Sequence, residues 1–372
     1  MSYEIGELPF QTLLPAVAKA EDQLARLDET VRRSPVGEGF MARGHFFDAA
    51  ASMWVAGELV HIDDLVLHDA HMDIRTPTHE LTIAHAVLRG RRRIAGEAPG
   101  WALSEAGIAA LTGSATGVPG GHHVPGEPAA IEAFDPYNRD DDPLASEFAH
   151  LDALIHRSQR MLEGPSGERG QRLSERPSVA VGDFIIRDED WDERERMRQW
   201  RAVLKQTEVL PPVLSAALAF DAWETLEPLQ RQATLGGQLV AAHLRARGKV
   251  ASHLPAFHVG LKAIPRERRR AQGRATRLLA FLDAMSAAAE IGLKEIIRLT
   301  HAREQMERKM RGRRSSSSLP AVIDLMISRP IVSGAMVAKA AGVTSRAALN
   351  LIAELGVREA TGRGRYRAWG VI

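Results

Sequence analysis

Apolar residues recur along this chain at helical spacing almost wherever they gather. Between residues 11 and 33, Leu13, Leu14, Val17, Ala18, Ala20, Leu24, Leu27 and Val31 stand three and four apart with a polar face between them, which predicts an amphipathic helix. A second helix is expected over 40–55, broken by Gly57-Glu58, and a short one from His61, with Asp63 and Asp64 in the first turn where the helix dipole favours acids. Further helices are predicted over 78–93, 104–111, 144–162, 190–206, 213–223 and 235–247, followed by a long helix pair from about 267 to 311. Pro211-Pro212 opens the helix at 213, because a missing N–H costs nothing in the unsatisfied first turn. Strand-like runs are few, among them Ala180-Val181 and Phe184-Ile185-Ile186.

Two stretches interrupt this pattern. Residues 112–143 turn to Gly, Pro and acids, as in Gly117-Val118-Pro119-Gly120-Gly121 and Asp140-Asp141-Asp142-Pro143. Such a segment buries too little to offset its ordering entropy and predicts a flexible linker. Residues 164–177 predict a second polar linker. The resulting division is an N-terminal helical domain over 1–111, the linker over 112–143, a helical domain over 144–314 and a C-terminal module over 319–372.

That last module has its own logic. Val337, Ala338 and Ala341 are expected to face inward on one short helix and Ala348 and Leu351 on the next, with Gly342 as the left-handed turn residue between them. Thr344 is placed to cap the second helix, which leaves Ser345, Arg346, Leu349 and Asn350 on its outer side. Arg346 and Asn350 share one face, and their side-chain types read guanine and adenine edges bidentately in a major groove. After Gly356, residues 357–361 and 365–369 read as two strands joined by the cationic tip Gly362-Arg363-Gly364. The whole predicts a winged helix-turn-helix. Ser345, Arg346 and Asn350 are expected to touch base edges, and Thr344, Arg363, Arg365 and Arg367 to hold phosphates. A small helical protein-interaction domain with a solvated basic hairpin is the alternative.

Charge sharpens the picture. The chain of 372 residues has a net charge of only +1, yet residues 262–314 hold fifteen Lys/Arg against six Asp/Glu and residues 319–372 hold seven against three. Everything upstream is therefore acidic, and a polyanion is expected to meet the C-terminal third. Solvated arginines on a long helix explain the 262–314 run equally well. The chain has 0 cysteines, which excludes disulfides, thiol catalysis and Cys-based zinc sites. No run of about eighteen apolar residues and no signal-peptide pattern is visible, so a cytoplasmic protein without membrane contact is expected. His68 and His71 with Asp69 and Asp73 have spacings a metal could use, but no further ligand presents itself, and no metal or other cofactor is expected.

Two resemblances enter at this point. The runs Gly57-Glu58-Leu59-Val60-His61, Leu67-His68-Asp69-Ala70, 263–270 and 361–369 resemble a bacterial family, found largely on plasmids of plant-associated bacteria, that joins a domain of unknown function to a C-terminal helix-turn-helix. That likeness implies DNA binding through the end module. The layout Leu210-Pro211-Pro212, Ala216 to Phe220 and Trp223-Glu224-Thr225-Leu226 resembles the helix leading into the active-site loop of Fic-type proteins, which transfer nucleotide monophosphate to protein hydroxyls. Where that family has a His, Glu227 stands; Leu229 replaces its Phe, Arg231 its metal-holding acid, Gln232-Ala233-Thr234 its Gly-Asn-Gly, and Leu235 and Gln238 its arginines. Ala56 likewise stands where the inhibitory helix of Fic proteins has a glutamate. A phosphate cradle needs glycines for close backbone approach, a cation and a magnesium-holding acid. The resemblance therefore implies a Fic-like helical body that has lost its chemistry.

The expectation is a mainly α, non-enzymatic, DNA-binding protein, a transcriptional regulator with a Fic-like body and a winged helix. Its partner is double-stranded DNA, and a homodimer is expected because one recognition helix covers a half-site. Two other functions stay open: a Fic-derived nucleotidyl transferase working through Glu227, and an antitoxin-like module whose helical body binds a protein.

Overall fold

The computed structural model describes residues 3–73, 76–113, 191–230, 232–310, 318–361 and 367–371. In chain order the helices are α1 (Phe10–Arg33), α2 (Gly37–Ala56), α3 (Ile62–Asp69), α4 (His79–Gly96), α5 (Glu105–Thr112), α6 (Glu193–Gln206), α7 (Pro212–Leu226), α8 (Leu235–Ala246), α9 (Phe257–Lys262), α10 (Arg266–Arg269), α11 (Arg274–Met310) and α12 (Leu319–Ser328). The chain closes with β1 (Val332–Ser333), α13 (Gly334–Ala341), α14 (Ser345–Leu355), β2 (Arg358–Glu359) and β3 (Ala368–Gly370). The fold is mainly helical, as the spacing of apolar residues implied. The predicted linkers, the helix at 144–162 and the strand-like runs at 180–186 fall outside the described residues, apart from Thr112 and Gly113, which end α5.

Local chemistry sets several of the helix starts. Thr78 caps α4 by accepting from the Leu81 N–H at 3.2 Å, Ser104 caps α5 through Gly107 at 3.0 Å, and Asp192 caps α6 through Glu195 at 2.9 Å. Pro212 occupies the first turn of α7, as its missing donor permits. Between Val213 and Trp223 every residue of α7 is buried, so this helix is the axis around which α1, α6, α8 and α11 pack.

The stripe Leu13, Val17, Ala20, Leu24, Leu27 and Val31 of α1 is buried along α11. Here the structure corrects the sequence reading. A pair of helices was expected from 267 to 311, whereas one helix of 37 residues runs from Arg274 to Met310. Its one glycine, Gly292, is not a turn: a Cβ there would come within 2.7 Å of Leu27 and 3.3 Å of Phe40. The glycine lets α1 and α2 approach closely, and the helix tolerates it.

The stretches read as separate N-terminal and central domains meet in one compact unit that spans 1–116 and 187–372. A buried charge network marks where they join. Asp48 of α2 pairs with Arg91 of α4 at 2.5 Å, both side chains wholly inaccessible, and accepts from the backbone N–H of His258 at 2.7 Å and of Val259 at 3.2 Å. Arg91 reaches on to the carbonyls of Leu254 and Pro255 at 3.2 and 3.1 Å. The surrounding positive charge holds the Asp48 carboxyl below its ordinary range although burial opposes this.

The C-terminal module shares the same apolar core, which runs without a break from Leu13 to Trp369. Its α12 lies on α2, and Arg43 of α2 is the fastening. This buried guanidinium pairs with Glu295 at 3.1 Å and donates to the carbonyls of Met326 at 3.4 Å, Arg329, and Val371 at 3.1 Å. Arg298 donates to the same Val371 carbonyl at 2.6 Å, and Lys309 to the Leu355 carbonyl at 2.8 Å. The C-terminal ends of α12 and α14 thus each receive a cation from the body, where unsatisfied carbonyls and the helix dipole favour one. Arg298, Arg303 and Lys309, part of the basic run noted in the sequence, are engaged in this way, Arg303 with Glu307 at 2.8 Å and Asp324 at 3.1 Å.

Replacing Arg43 by Met should leave the carbonyls of Met326 and Arg329 without their donor, while Arg298 still serves Glu295 and Val371, and we expect a loss of about 2–4 kcal/mol in urea unfolding of the full chain. A second expectation concerns pH. Burial, then neighbouring arginines, pull the His45 imidazole down to about 3 and the His243 imidazole to about 4. These rings stay neutral in the fold while the unfolded chain takes up protons near the ordinary 6.5. Stability should therefore be level above that value and fall as pH drops from it toward 4. His243→Gln, which keeps an acceptor for Ser215, should flatten that slope in unfolding curves measured at stepped pH.

Candidate nucleic-acid interface

The module past Ser318 assembles from small residues and caps. Ser333 caps α13 by accepting from the Met336 N–H at 3.2 Å, and α13 ends at Gly342 with φ of 64°. Two residues later Thr344 accepts from the Ala347 N–H at 3.3 Å and starts α14, which ends at Gly356 with φ of 62°. Both glycines sit in the left-handed region that a side chain makes costly. Val337 and Ala348 are buried in the helix crossing, with Ala338, Ala341 and Leu351 half-buried around it. Met336, Ile352 and Leu355 complete the crossing; the sequence reading passed over them because it followed the small residues.

The sheet behind them has the order β1-β3-β2 with both pairs antiparallel, Val332 facing Trp369 and Glu359 facing Trp369 from the other side. Two of the three strands were foreseen. The third, β1, has only two residues, too few to leave a periodic trace. Helix, strand, two crossed helices and a hairpin in this order make a winged helix-turn-helix.

Thr344, Ser345, Arg346, Leu349 and Asn350 are all exposed on α14. Arg346 and Asn350, one turn apart, have no hydrogen bond or ion pair among the described residues. The Thr344 hydroxyl spends its acceptor on the cap and keeps its proton free. Arg363 and Arg365 lie outside the described residues. Arg367 is described, and its guanidinium meets Glu359 at 2.7 Å and lies 5.2 Å over the Trp369 ring. That cross-strand pair compensates its charge, so Arg367 is held as a strut of the hairpin as well as exposed on it. Lys339 of α13 and Arg358 of β2 are exposed cations that the site reading did not single out.

His68 and His85 are otherwise engaged. His68 pairs with Asp73 at 2.9 Å, His85 with Asp69 at 3.4 Å, and Asp69 also takes Arg92 at 2.9 Å and Arg329 at 2.8 Å. Among the described residues no group of three His, Asp or Glu side chains is arranged to hold a metal ion. The loop between α7 and α8 departs from ordinary geometry at two places, Glu227 with φ of 43° and Gln232 with φ of 71°. Its neighbouring glycines are spent on packing: a Cβ at Gly236 would lie 2.3 Å from the Trp223 ring, and one at Gly237 would lie 2.3 Å from His258.

This architecture defines a protein that ends in a helix-turn-helix DNA-binding domain, and residues 319–372 match the family model described as "HTH DNA binding domain". Residues 185–311 match that of a protein of unknown function, DUF1612. The chain belongs to the same family as the uncharacterized protein y4cF of Sinorhizobium fredii (strain NBRC 101917 / NGR234), to which it is 46% identical over an alignment of 383 positions that takes in 100% of both chains.

Gly342 offers a test of the turn. A Cβ there meets nothing within 4 Å, so Gly342→Ala probes backbone strain alone. We expect a loss of about 1–2 kcal/mol in thermal unfolding, whereas Lys339→Ala, on the exposed side of α13, should change stability by less than about 0.5 kcal/mol.

Proposed function

We propose that the protein is a transcriptional regulator that binds double-stranded DNA through α14 and the wing. The observation that carries this is the outer face of α14, where Arg346 and Asn350 stand exposed and unpaired on a helix fixed by a left-handed turn, a threonine cap and a buried opposite face. A recognition helix needs that combination: rigid delivery, and side chains whose donors are not already satisfied within the protein. Leu349, 44% exposed, is the apolar member of the face and suits a thymine methyl. Ser345 joins the base contacts. Thr344 at the helix N-terminus and Arg363, Arg365 and Arg367 on the wing hold phosphates, with Arg367 the weakest of them because Glu359 offsets its charge. A homodimer follows in this reading, because one such helix spans only half of a binding site.

The body, in this proposal, is not an enzyme. Support comes from the α7–α8 loop, which offers no glycine between Pro228 and Thr234 and whose flanking Gly236 and Gly237 are covered by Trp223 and His258. Backbone donors there cannot close on a phosphate as nucleotide transfer demands. The body instead supplies the platform on which the reading head is fastened. Among the described residues no helix is long and apolar enough to cross a membrane, in keeping with a cytoplasmic regulator.

The test is binding of the full chain to fluorescent genomic fragments followed by a salt titration on the selected site. Arg363→Ala should weaken binding to all sequences alike and lower the salt slope by about 1, whereas Arg346→Ala or Asn350→Ala should relax base preference by about 1–3 kcal/mol. Salt-independent binding, or none to any fragment, would overturn the proposal.

A further inference from the structure

An apolar cavity of about 490 Å³ opens between α2, the 253–262 segment and α11, walled by Leu27, Phe40, Phe47, Val259 and Ile291 among others. This is the size range of small-molecule sites. Arg43 and Glu295, the pair that fastens the winged helix, form part of its wall. Elsewhere the lining changes character. A second hollow shares Trp54, Leu59 and Lys262 with the first and carries Lys262, Arg266, Arg269 and Arg270 against a single carboxylate, Glu58. Lys262 and Arg269 lie over the Trp54 indole at 5.4 and 5.9 Å. Arg269 gives its Nε–H to the Ile264 carbonyl at 3.0 Å. Lys262, Arg266 and Arg270 make no side-chain hydrogen bond or ion pair among the described residues, although Glu224 stands near both Arg270 and Arg269, and Glu267 near Arg269. Lys262, Arg266 and Arg270 are exposed, and cations gathered beside an apolar cavity give its mouth a positive field that favours an anion.

We propose that these two adjoining hollows together bind an amphipathic organic anion, with its apolar body in the first and its carboxylate or phosphate head among Lys262, Arg266, Arg269 and Arg270 in the second, and that its occupancy acts on the winged helix through Arg43 and Glu295. The site is concave and lies within one compact unit, which fits a small molecule better than a protein surface. Trp54, 42% exposed, marks the boundary between the two environments. The wall made by Arg43 and Glu295 gives the ligand a direct hold on the carbonyls of Met326, Arg329 and Val371. Binding is independent of the DNA reading above; only its effect on DNA affinity rests on that reading.

The experiment is calorimetric titration of the full chain with dodecanoate, dodecyl phosphate, dodecyltrimethylammonium and inorganic phosphate, each below micelle formation. At least one of the two anionic chains should bind one per protein and at least ten-fold tighter than the cationic chain, and inorganic phosphate alone should not saturate in that range. Gly44 supplies the decisive variant. It lines the cavity mid-helix, and a Cβ there meets nothing within 4 Å, so Gly44→Leu extends a side chain from an open position into the cavity and replaces a poor helix former by a good one. Binding should be lost with the melting temperature unchanged or raised. Lys262→Ala with Arg269→Ala should weaken the anions at least ten-fold and spare the cationic chain. No binding of either anion, equal affinity for both charges, or undiminished binding in Gly44→Leu overturns the site. A bound anion should also shift DNA affinity at least three-fold in the unaltered chain and not in Gly44→Leu. Binding without that shift refutes the coupling, whereas failure to bind DNA in the absence of any anion refutes the regulator and leaves the calorimetric result standing.

Discussion

A single buried guanidinium decides how this molecule is put together. Arg43 has five N–H donors in a rigid fork, and the structure uses them on Glu295 and on backbone carbonyls from three separate points of the C-terminal module. Burial pulls its pKa down to about 10, Glu295 resists that shift, and the group stays charged at neutral pH. An arginine so placed cannot be exchanged for a hydrophobic residue without leaving carbonyls unsatisfied, and it cannot be left in place if the module swings away. Head and body are held together by this group, by Arg298 and Lys309, and by the apolar core they share.

Much of the plan was legible in the residues, and the reasons for the gaps are physical. Amphipathic stripes such as that of α1 announce themselves because burial and periodicity coincide. The turn at Gly342 and the cap at Thr344 could be read because few residues do those jobs. The long helix was expected as a pair because local spacing does not tell one helix of 37 residues from two; that Gly292 serves close packing is revealed only by its neighbours Leu27 and Phe40. Which residues fold against which across distant parts of the chain is equally hidden: Asp48, Arg91 and His258 look like scattered surface polars until the fold brings them together, Asp48 and His258 from 210 positions apart. Of the candidate interface, the exposed side chains of α14 were readable from helical spacing, but the pairing of Arg367 with Glu359 depends on strand register, which no local pattern fixes.

The loop between α7 and α8 illustrates a different constraint. Glycines are informative about ligands only when the space beside them is open. Gly236 and Gly237 are the glycines nearest to this loop. The structure puts an indole and an imidazole beside them, which closes the space a phosphate would need and makes these positions part of the core. The cavity beneath Arg43 is the reverse case: Gly44 faces nothing, and the emptiness lies on the side from which the winged helix is held.

The hold of Lys309 on the last carbonyl of α14 has a bearing on how DNA sites could be arranged. Gly356, with φ of 62°, leaves the room that lets the ammonium close on that carbonyl. A head on a slack tether can swivel to accommodate targets at varied separations. One pinned at both its entry helix and its reading helix cannot, so in an assembly of two copies the phasing of the paired targets would be dictated by the bulk of the protein, and inserting or deleting a few base pairs between them would put one head on the wrong side of the duplex.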